Sequence, residues 1–387
     1  MRVTMVNKYY WPPHLGGVET VVRNLSEGLV AETDARVEAI VANEGRERVE
    51  ETIAGVDVVR LPRQFALSSA PIALAMPGAI AATARRADPP DVINLHFPYP
   101  WGELSWLQAH PDIPMVLSYH SDIVRQKRML AAYRPFLEAV LDRADVIATS
   151  SPNLRDNSPF LAPRAEKVRI VDYGLHVDTI AEPSHAIAAR AEQIRAEHAG
   201  RKIVLFVGRL VYYKGADVLV RAMADVDADV VLLGRGPLES ELREIARANG
   251  IGQRATWVEP TTDDELAAYY HACDVFCLPS VANSEAFGLV QIEAHAAGKP
   301  AVSTDLPTSV PYANLDGVTG LIVPVGEVAA LAAALNRLLA DDELRGRLGK
   351  QARERALSQF TIPRMVSQML DVYAEAIDVH AAKRGRA

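Results

Sequence analysis

Short apolar runs that read as buried strands alternate with helical stretches along this chain, and the alternation occurs twice with a break between. The first series has runs at residues 3–7, 37–41, 56–61, 91–96, 114–119, 145–149 and 167–171. The helix after the first run puts Val18, Val21, Val22, Leu25 and Leu29 on one face, and another spans about 129–143. Between Tyr173 and Gly200 the texture changes. Residues 179–198 are rich in Ala, Glu and Arg and carry Pro183, as a connector and a helix would. A second series follows at 202–207, 229–233, 255–258, 274–278 and 301–303, and a last helix is expected over about 363–378. Strands alternating with helices imply α/β architecture with parallel sheets covered on both faces. At 387 residues the chain exceeds one ordinary core. Two doubly wound, Rossmann-like domains are therefore expected, over 1–178 and 179–362, with a tail at 363–387. Ligands of such sheets gather at the carboxyl ends of the strands, so loops of both domains should face a cleft.

A net charge of -8 argues against nucleic acid as a partner, because binding a phosphate backbone needs a basic face. The two cysteines, Cys273 and Cys277, lie in an apolar strand-like segment and read as buried free thiols in a reducing compartment. The first residues hold no apolar signal core, which points to a cytoplasmic protein. Residues 65–84 carry no charge, but Pro71 and Pro77 and a small-residue composition make a weak spanning segment. A buried or crevice-facing helical stretch is expected there, with peripheral contact at a membrane face left open.

Three stretches hold side chains suited to a phosphorylated or hydroxylated ligand. The run ending at Pro279 enters a loop, Asn283-Ser284-Glu285-Ala286, and helical spacing begins near Phe287. Free N–H groups and the positive end of a helix dipole meet at such a junction. Glu285 precedes this helix and Glu293 lies two turns inside it; a carboxylate can accept two hydroxyl hydrogen bonds, which suits a sugar or a ribose. Two solvated acids on an amphipathic helix are the plainer reading of the same pattern. The second half opens with a strand and Gly208-Arg209-Leu210-Val211-Tyr212-Tyr213-Lys214-Gly215 before a helix. A planar guanidinium and a point charge five residues apart can cradle a diphosphate, or can be solvated loop cations. Gly16-Gly17 and Gly234-Arg235-Gly236-Pro237 also follow strands, but both lack the third glycine of a dinucleotide fingerprint.

Taken together, the motifs give the chain a resemblance to the retaining glycosyltransferases of family 4, which have the GT-B fold. The matching residues are Gly16-Gly17-Val18-Glu19, Tyr119-His120-Ser121-Asp122, Gly208-Arg209-Leu210 with Lys214-Gly215, Gly234-Arg235-Gly236-Pro237, and the pair Glu285 and Glu293 within Glu-Ala-Phe-Gly-Leu-Val. They run in the family's order from about Met1 to Phe360; the glutamate pair is the most specific element. The resemblance implies an acceptor-side first domain, a second domain that binds a nucleotide-sugar, and a final helix that crosses back to the first.

It also implies roles. The catalytic set would be His120, Arg209, Lys214 and Glu285, with Arg209 and Lys214 holding the leaving diphosphate. Gly16 and Gly17 would approach the phosphates by backbone. Glu285 and the N–H groups of Phe287, Gly288 and Leu289 would hold sugar hydroxyls. Glu293 would take the ribose, with Gly236 and Trp257-Val258-Glu259 near the base. His120 would position the reacting sugar. Asp122 and Arg125 would face the acceptor, a glycan, lipid-linked or small-molecule hydroxyl; Arg125 lies in a basic stretch over residues 123–130. The implied donor is GDP-mannose or a UDP-hexose, with no permanently bound cofactor. Asp225-Val226-Asp227 and Asp227-Ala228-Asp229 have the Asp-x-Asp form of the other glycosyltransferase fold. They precede a strand, at the wrong end for a site, and read as solvated turn acids, so no catalytic metal is expected. Where the family has an Asn-Gly turn, this chain has Val171-Asp172-Tyr173-Gly174-Leu175. A nucleotide-sugar epimerase or phosphorylase on the same fold, or a non-catalytic sugar-nucleotide binding protein, remain the alternatives.

Overall fold

The computed structural model describes residues 1–12, 16–67, 70–123 and 127–385. The chain forms two compact units, residues 1–174 with 362–387, and residues 175–361. Elements run β1 (Arg2–Val6), α1 (Gly17–Glu32), β2 (Arg36–Ala42), β3 (Val49–Ile53), β4 (Val56–Leu61), β5 (Phe65–Leu67), β6 (Ala70–Ile72) and α2 (Met76–Thr83). Then come β7 (Val92–Phe97), α3 (Pro100–Ala109), β8 (Met115–Tyr119), α4 (Lys127–Arg143), β9 (Val146–Thr149), α5 (Pro152–Asn157) and β10 (Val168–Ile170). The second unit holds α6 (Val177–Ala181), α7 (His185–Glu197), β11 (Ile203–Val207), α8 (Ala216–Ala222), β12 (Asp229–Leu233), α9 (Glu239–Ala248), β13 (Ala255–Val258) and α10 (Asp263–Ala272). It closes with β14 (Val275–Leu278), α11 (Leu289–Ala296), β15 (Ala301–Thr304), α12 (Val310–Ala313), β16 (Gly320–Val323), α13 (Val328–Ala340) and α14 (Asp342–Gln359). The last helix, α15 (Ile362–Arg384), belongs to the first unit.

Among the described residues the first unit's sheet has the order β10-β9-β8-β7-β1-β2-β4-β3, parallel except for the β3–β4 pair. The second unit's sheet has the order β13-β12-β11-β14-β15-β16 and is parallel throughout. In both, the strand sequence reverses direction beside the first strand of the unit, between β1 and β7 and between β11 and β14. At such a switch point the two flanking loops diverge and leave a crevice beyond the strand ends. The uninterrupted apolar runs are strands packed by helices on both faces: β7, β8, β9, β11, β12 and β14 are buried along their whole length. Each fully buried Val, Leu, Ile or Phe there contributes about 1.5–3 kcal/mol of transfer free energy. On α1 the buried stripe is Val21, Val22, Leu25 and Leu29, while Val18, nearer the exposed start, is half-buried.

Two expectations need correction. Residues 65–84 are not a helical segment: β5 and β6 pair as an antiparallel hairpin, and only α2 is helical. Pro71 sits in β6, a two-stranded edge where a missing N–H costs nothing, and Pro77 starts α2, where its N–H would be unpaired anyway. Asp229 is not a solvated turn acid. It opens β12 at 8% exposure and is held by His198 Nδ1 and Arg201 Nε, both at 2.8 Å, while Asp225 and Asp227 are exposed. Strands β3 and β16 were not among the expected strands: β3 is largely exposed, and β16 is the four-residue apolar run Gly320–Val323.

Candidate functional site

The second unit brings its charged residues to the β11/β14 switch point. The loop after β11 carries Arg209 and Lys214; the loop after β14 carries Ser280 and Glu285. Lys214 Nζ lies 2.6 Å from Glu285 Oε2, with both side chains about nine-tenths buried. The Ser280 hydroxyl donates to the same carboxylate oxygen at 3.2 Å. Arg209 is exposed, and the Tyr213 phenol sits within the fields of Lys214, Glu285 and Arg209 together. The two loops approach this closely because Gly215 separates them. Its φ is +66°, and a Cβ there would lie 1.9 Å from the Pro279 carbonyl oxygen. A side chain at this position would push Lys214 away from Glu285. The cluster thus offers one exposed cation, one cation already neutralised, and an acid gripped on one oxygen.

Helix α11 starts beside this pair. Its N-cap, Gly288, has φ +75° and supplies no side-chain cap, so the first N–H groups, from Leu289 on, have no partner within the helix. The Phe287 side chain is core, edge-on to Phe360 at 5.8 Å, so only its backbone is available to a ligand. Glu293 lies on the same helix and accepts from the Tyr270 hydroxyl at 2.6 Å. Burial pushes the Glu293 carboxyl up, and the Tyr270 bond partly offsets that. At the end of β12, Gly236 packs against the Leu210 backbone, and Gly234 N–H donates to the Val258 carbonyl at 2.8 Å. Trp257 lies under the Arg243 guanidinium at 4.8 Å, and Glu259 pairs with Arg235.

In the first unit, β1 ends towards Gly16, the exposed N-cap of the 16-residue α1, with Gly17 its first residue. His120 follows β8 and is 4% exposed. Both its ring nitrogens are engaged: Nδ1 is 2.6 Å from the Tyr173 hydroxyl, and Nε2 is 2.9 Å from His96 Nδ1. Burial pushes His120 down to about 3 and His96 well below its usual range, so both imidazoles are neutral at physiological pH. Asp122 accepts the Tyr119 hydroxyl at 2.6 Å and the Ser158 hydroxyl at 2.7 Å on one oxygen, which fixes the loop after His120. Arg125 lies outside the described residues.

Sequence reasoning passed over Ser280, Tyr270, His96 and Tyr173. Only their hydrogen bonds to Glu285, Glu293 and His120 mark them, across sequence gaps no local pattern reveals. Cys273 and Cys277 are buried free thiols. Among the described residues no group of three or more His, Cys, Asp or Glu side chains is arranged to hold a metal ion. No described helix is long and apolar enough to cross a membrane.

Comparison with known proteins matches both units. The model of glycosyl transferases group 1 matches residues 189–355, and that of the glycosyl transferase 4-like domain matches residues 16–174. The chain is 31% identical to the O-antigen chain mannosyltransferase C of Escherichia coli, over 98% of this chain and 99% of that protein. It is 33% identical to the D-rhamnosyltransferase WbpZ of Pseudomonas aeruginosa, over 93% and 92%. Among solved structures, sucrose-phosphate synthase from Thermosynechococcus elongatus aligns with TM-score 0.81 and 25% identity, over 97% of this chain and 99% of that one. HepE of Anabaena in complex with UDP-glucose aligns with TM-score 0.76 and 19% identity, over 97% and 99%. With the Arg209, Lys214 and Glu285 motifs in place at a strand switch point, these matches establish that the chain belongs to the family 4 glycosyltransferases of GT-B fold and is an enzyme that transfers a sugar.

Proposed function

We propose that the enzyme moves a hexosyl group from a nucleoside-diphosphate sugar to a glycan hydroxyl with retention of anomeric configuration. The observation that carries this reading is the 2.6 Å Lys214–Glu285 pair beyond β11 and β14, within the field of Arg209. A cation next to a carboxylate matches a ligand with an anionic end and a hydroxylated end joined at one atom. Arg209 and Lys214 take the diphosphate and stabilise the charge that grows on it as the anomeric bond breaks. Glu285 and the first N–H groups of α11 hold the sugar hydroxyls, and Glu293 accepts from the ribose through the oxygen that Tyr270 leaves open. The acceptor hydroxyl then attacks on the face the diphosphate leaves. Ser280 and Tyr270 hold the two acids by hydrogen bonds of 3.2 Å and 2.6 Å, which supports this reading.

The two relatives are named for transferring mannose and D-rhamnose, which is 6-deoxy-D-mannose; both sugars have an axial 2-hydroxyl. We take a manno-configured hexose as the donor sugar and GDP-mannose as the donor to test first, against UDP-glucose. The acceptor is a sugar hydroxyl of a growing glycan, in keeping with the O-antigen chain named for one relative.

The test is incubation with each donor and a mannose-terminated oligosaccharide, following nucleoside-diphosphate release and the anomeric configuration of the product by NMR. Release of product with the donor's own anomeric configuration supports the proposal; an inverted product, or none with any donor, refutes it. Conversion of the donor without acceptor identifies an epimerase instead. An Arg209→Ala enzyme that keeps full kcat/KM refutes the phosphate assignment.

A further inference from the structure

The segment from Val171 to Leu175, which departs from the family's Asn-Gly turn, supplies Tyr173, and Tyr173 reaches the ring of His120. Its backbone is fixed from three directions. Asp172 N–H donates to Gln368 Oε1 at 2.9 Å, Gly174 N–H to Met365 Sδ at 3.2 Å, and the Asn24 amide to the Gly174 carbonyl at 2.9 Å. The Ser150 hydroxyl also bonds to the Tyr173 phenol, and the 2.6 Å between that phenol and His120 Nδ1 is shorter than an ordinary N–H···O bond and normal for an O–H donor. The phenol proton then faces His120 Nδ1. With His120 neutral and Nδ1 accepting, its one proton is on Nε2 and points at His96 Nδ1. The two imidazole planes are 9° apart, with centroids at 5.2 Å, an edge-to-edge arrangement suited to that bond. His96, neutral and accepting at Nδ1, carries its own proton on Nε2. That nitrogen is buried and has no hydrogen-bond partner. His96, His120 and Tyr173 border a small cavity of about 20 Å³, room for about one water, with Val21, Leu25, Met365 and Met369 among its other walls.

We propose that Tyr173 is a positioning residue that fixes the tautomer of His120 and, through it, of His96, so that the His96 Nε2–H is the free donor of this relay. The relay runs one way, from the Tyr173 phenol through His120 to His96. What it presents is a buried neutral N–H in apolar surroundings, which matches one small oxygen acceptor the size of a water. That His120 serves the reacting sugar rests on the proposed transfer reaction; the order of protons does not.

Long-range proton–nitrogen NMR on protein with ¹⁵N-labelled histidine reads the tautomers directly. The expected spectrum of the unaltered enzyme shows His96 and His120 both neutral and both protonated on Nε2. A His120 protonated on Nδ1 overturns the proposal. In Tyr173→Phe, which keeps the ring, His120 is expected to move to a mixed-tautomer nitrogen shift. Its kcat should fall ten-fold or more, with KM for the donor within two-fold. Unchanged kcat and nitrogen shifts in a folded Tyr173→Phe protein also overturn it. If the unaltered enzyme transfers no sugar at all, the transfer reaction is refuted while the tautomer result still decides the relay.

Discussion

Replacing Glu285 by glutamine should move two measurements in opposite directions. In the unliganded protein Lys214 and Glu285 are 2.6 Å apart and about nine-tenths buried. At an effective dielectric of about 20, that separation corresponds to an attraction of about 6 kcal/mol before desolvation is subtracted. A diphosphate must share Lys214 with this carboxylate and also feels its charge. On the same footing, a phosphate charge about 5 Å away is repelled by about 3 kcal/mol. Solvent on the open side, where Arg209 is exposed, roughly halves that, leaving about 1.4 kcal/mol, a factor of about ten in affinity. Glu285→Gln keeps the shape and an acceptor for the Ser280 hydroxyl while freeing Lys214. Nucleoside diphosphate without a sugar should therefore bind about ten-fold more tightly to the variant. With the intact donor, the loss of one or two charge-assisted bonds to sugar hydroxyls, about 1.5–3 kcal/mol each, should lower kcat/KM by about a hundred-fold. Calorimetric titration with GDP and with UDP, beside initial rates, separates the two effects. If a folded Glu285→Gln protein binds both diphosphates no better than the unaltered enzyme, Lys214 does not serve the phosphate and the reasoning fails.

Three further outcomes are expected. Arg209→Ala should cut kcat/KM by about a hundred-fold or more while leaving Tm within a degree or so, because the side chain is exposed and its charge acts on the leaving group. Gly215→Ala should lower stability by about 2 kcal/mol or more and abolish transfer, since the new Cβ meets the Pro279 carbonyl at 1.9 Å; near-normal Tm would contradict the close approach of the two loops. Glu103 is wholly buried, and burial pushes its carboxyl from 4.5 up to about 8. Its contribution is thus fully present below pH 4.5 and is lost as pH rises through about 8. Tm should fall across that window, and Glu103→Gln, which can still accept the Tyr99 N–H, should flatten the fall; identical Tm–pH profiles would count against it.

The strands were readable because a strand buried on both faces has no choice but an unbroken apolar run, as residues 203–207 and 275–278 show. Strand β3 faces solvent over most of its length, so nothing in its composition sets it apart from a loop. Residues 65–84 misled for the opposite reason: the absence of charge reflects burial of Ile72, Ala73, Met76 and Ile80, which a hairpin followed by a short helix achieves as well as one helix. Within the site, Arg209, Lys214 and Glu285 stood out since each lies on a loop next to a strand end, and Glu293 stood out as the second acid of the pair. Their partners could not be read. Lys214 meets Glu285 only because β11 and β14 are sheet neighbours, and His120 meets Tyr173 only because β8, β9 and β10 lie side by side. Asp229 shows the converse: its motif suggested a solvated acid, and its burial depends on His198, supplied by a helix that precedes the strand in sequence.

Helix α15 is made after the whole of the second unit, yet it belongs to the first. Its Tyr373 hydroxyl donates to Asn94 on β7 at 2.8 Å, its Glu375 grips Arg169, and its Met365 and Met369 close the space beside His96. During synthesis the second unit can therefore finish folding while the first still waits for its final helix. A stop at residue 362 itself releases a chain whose second unit is complete and whose first unit lacks a wall beside His96.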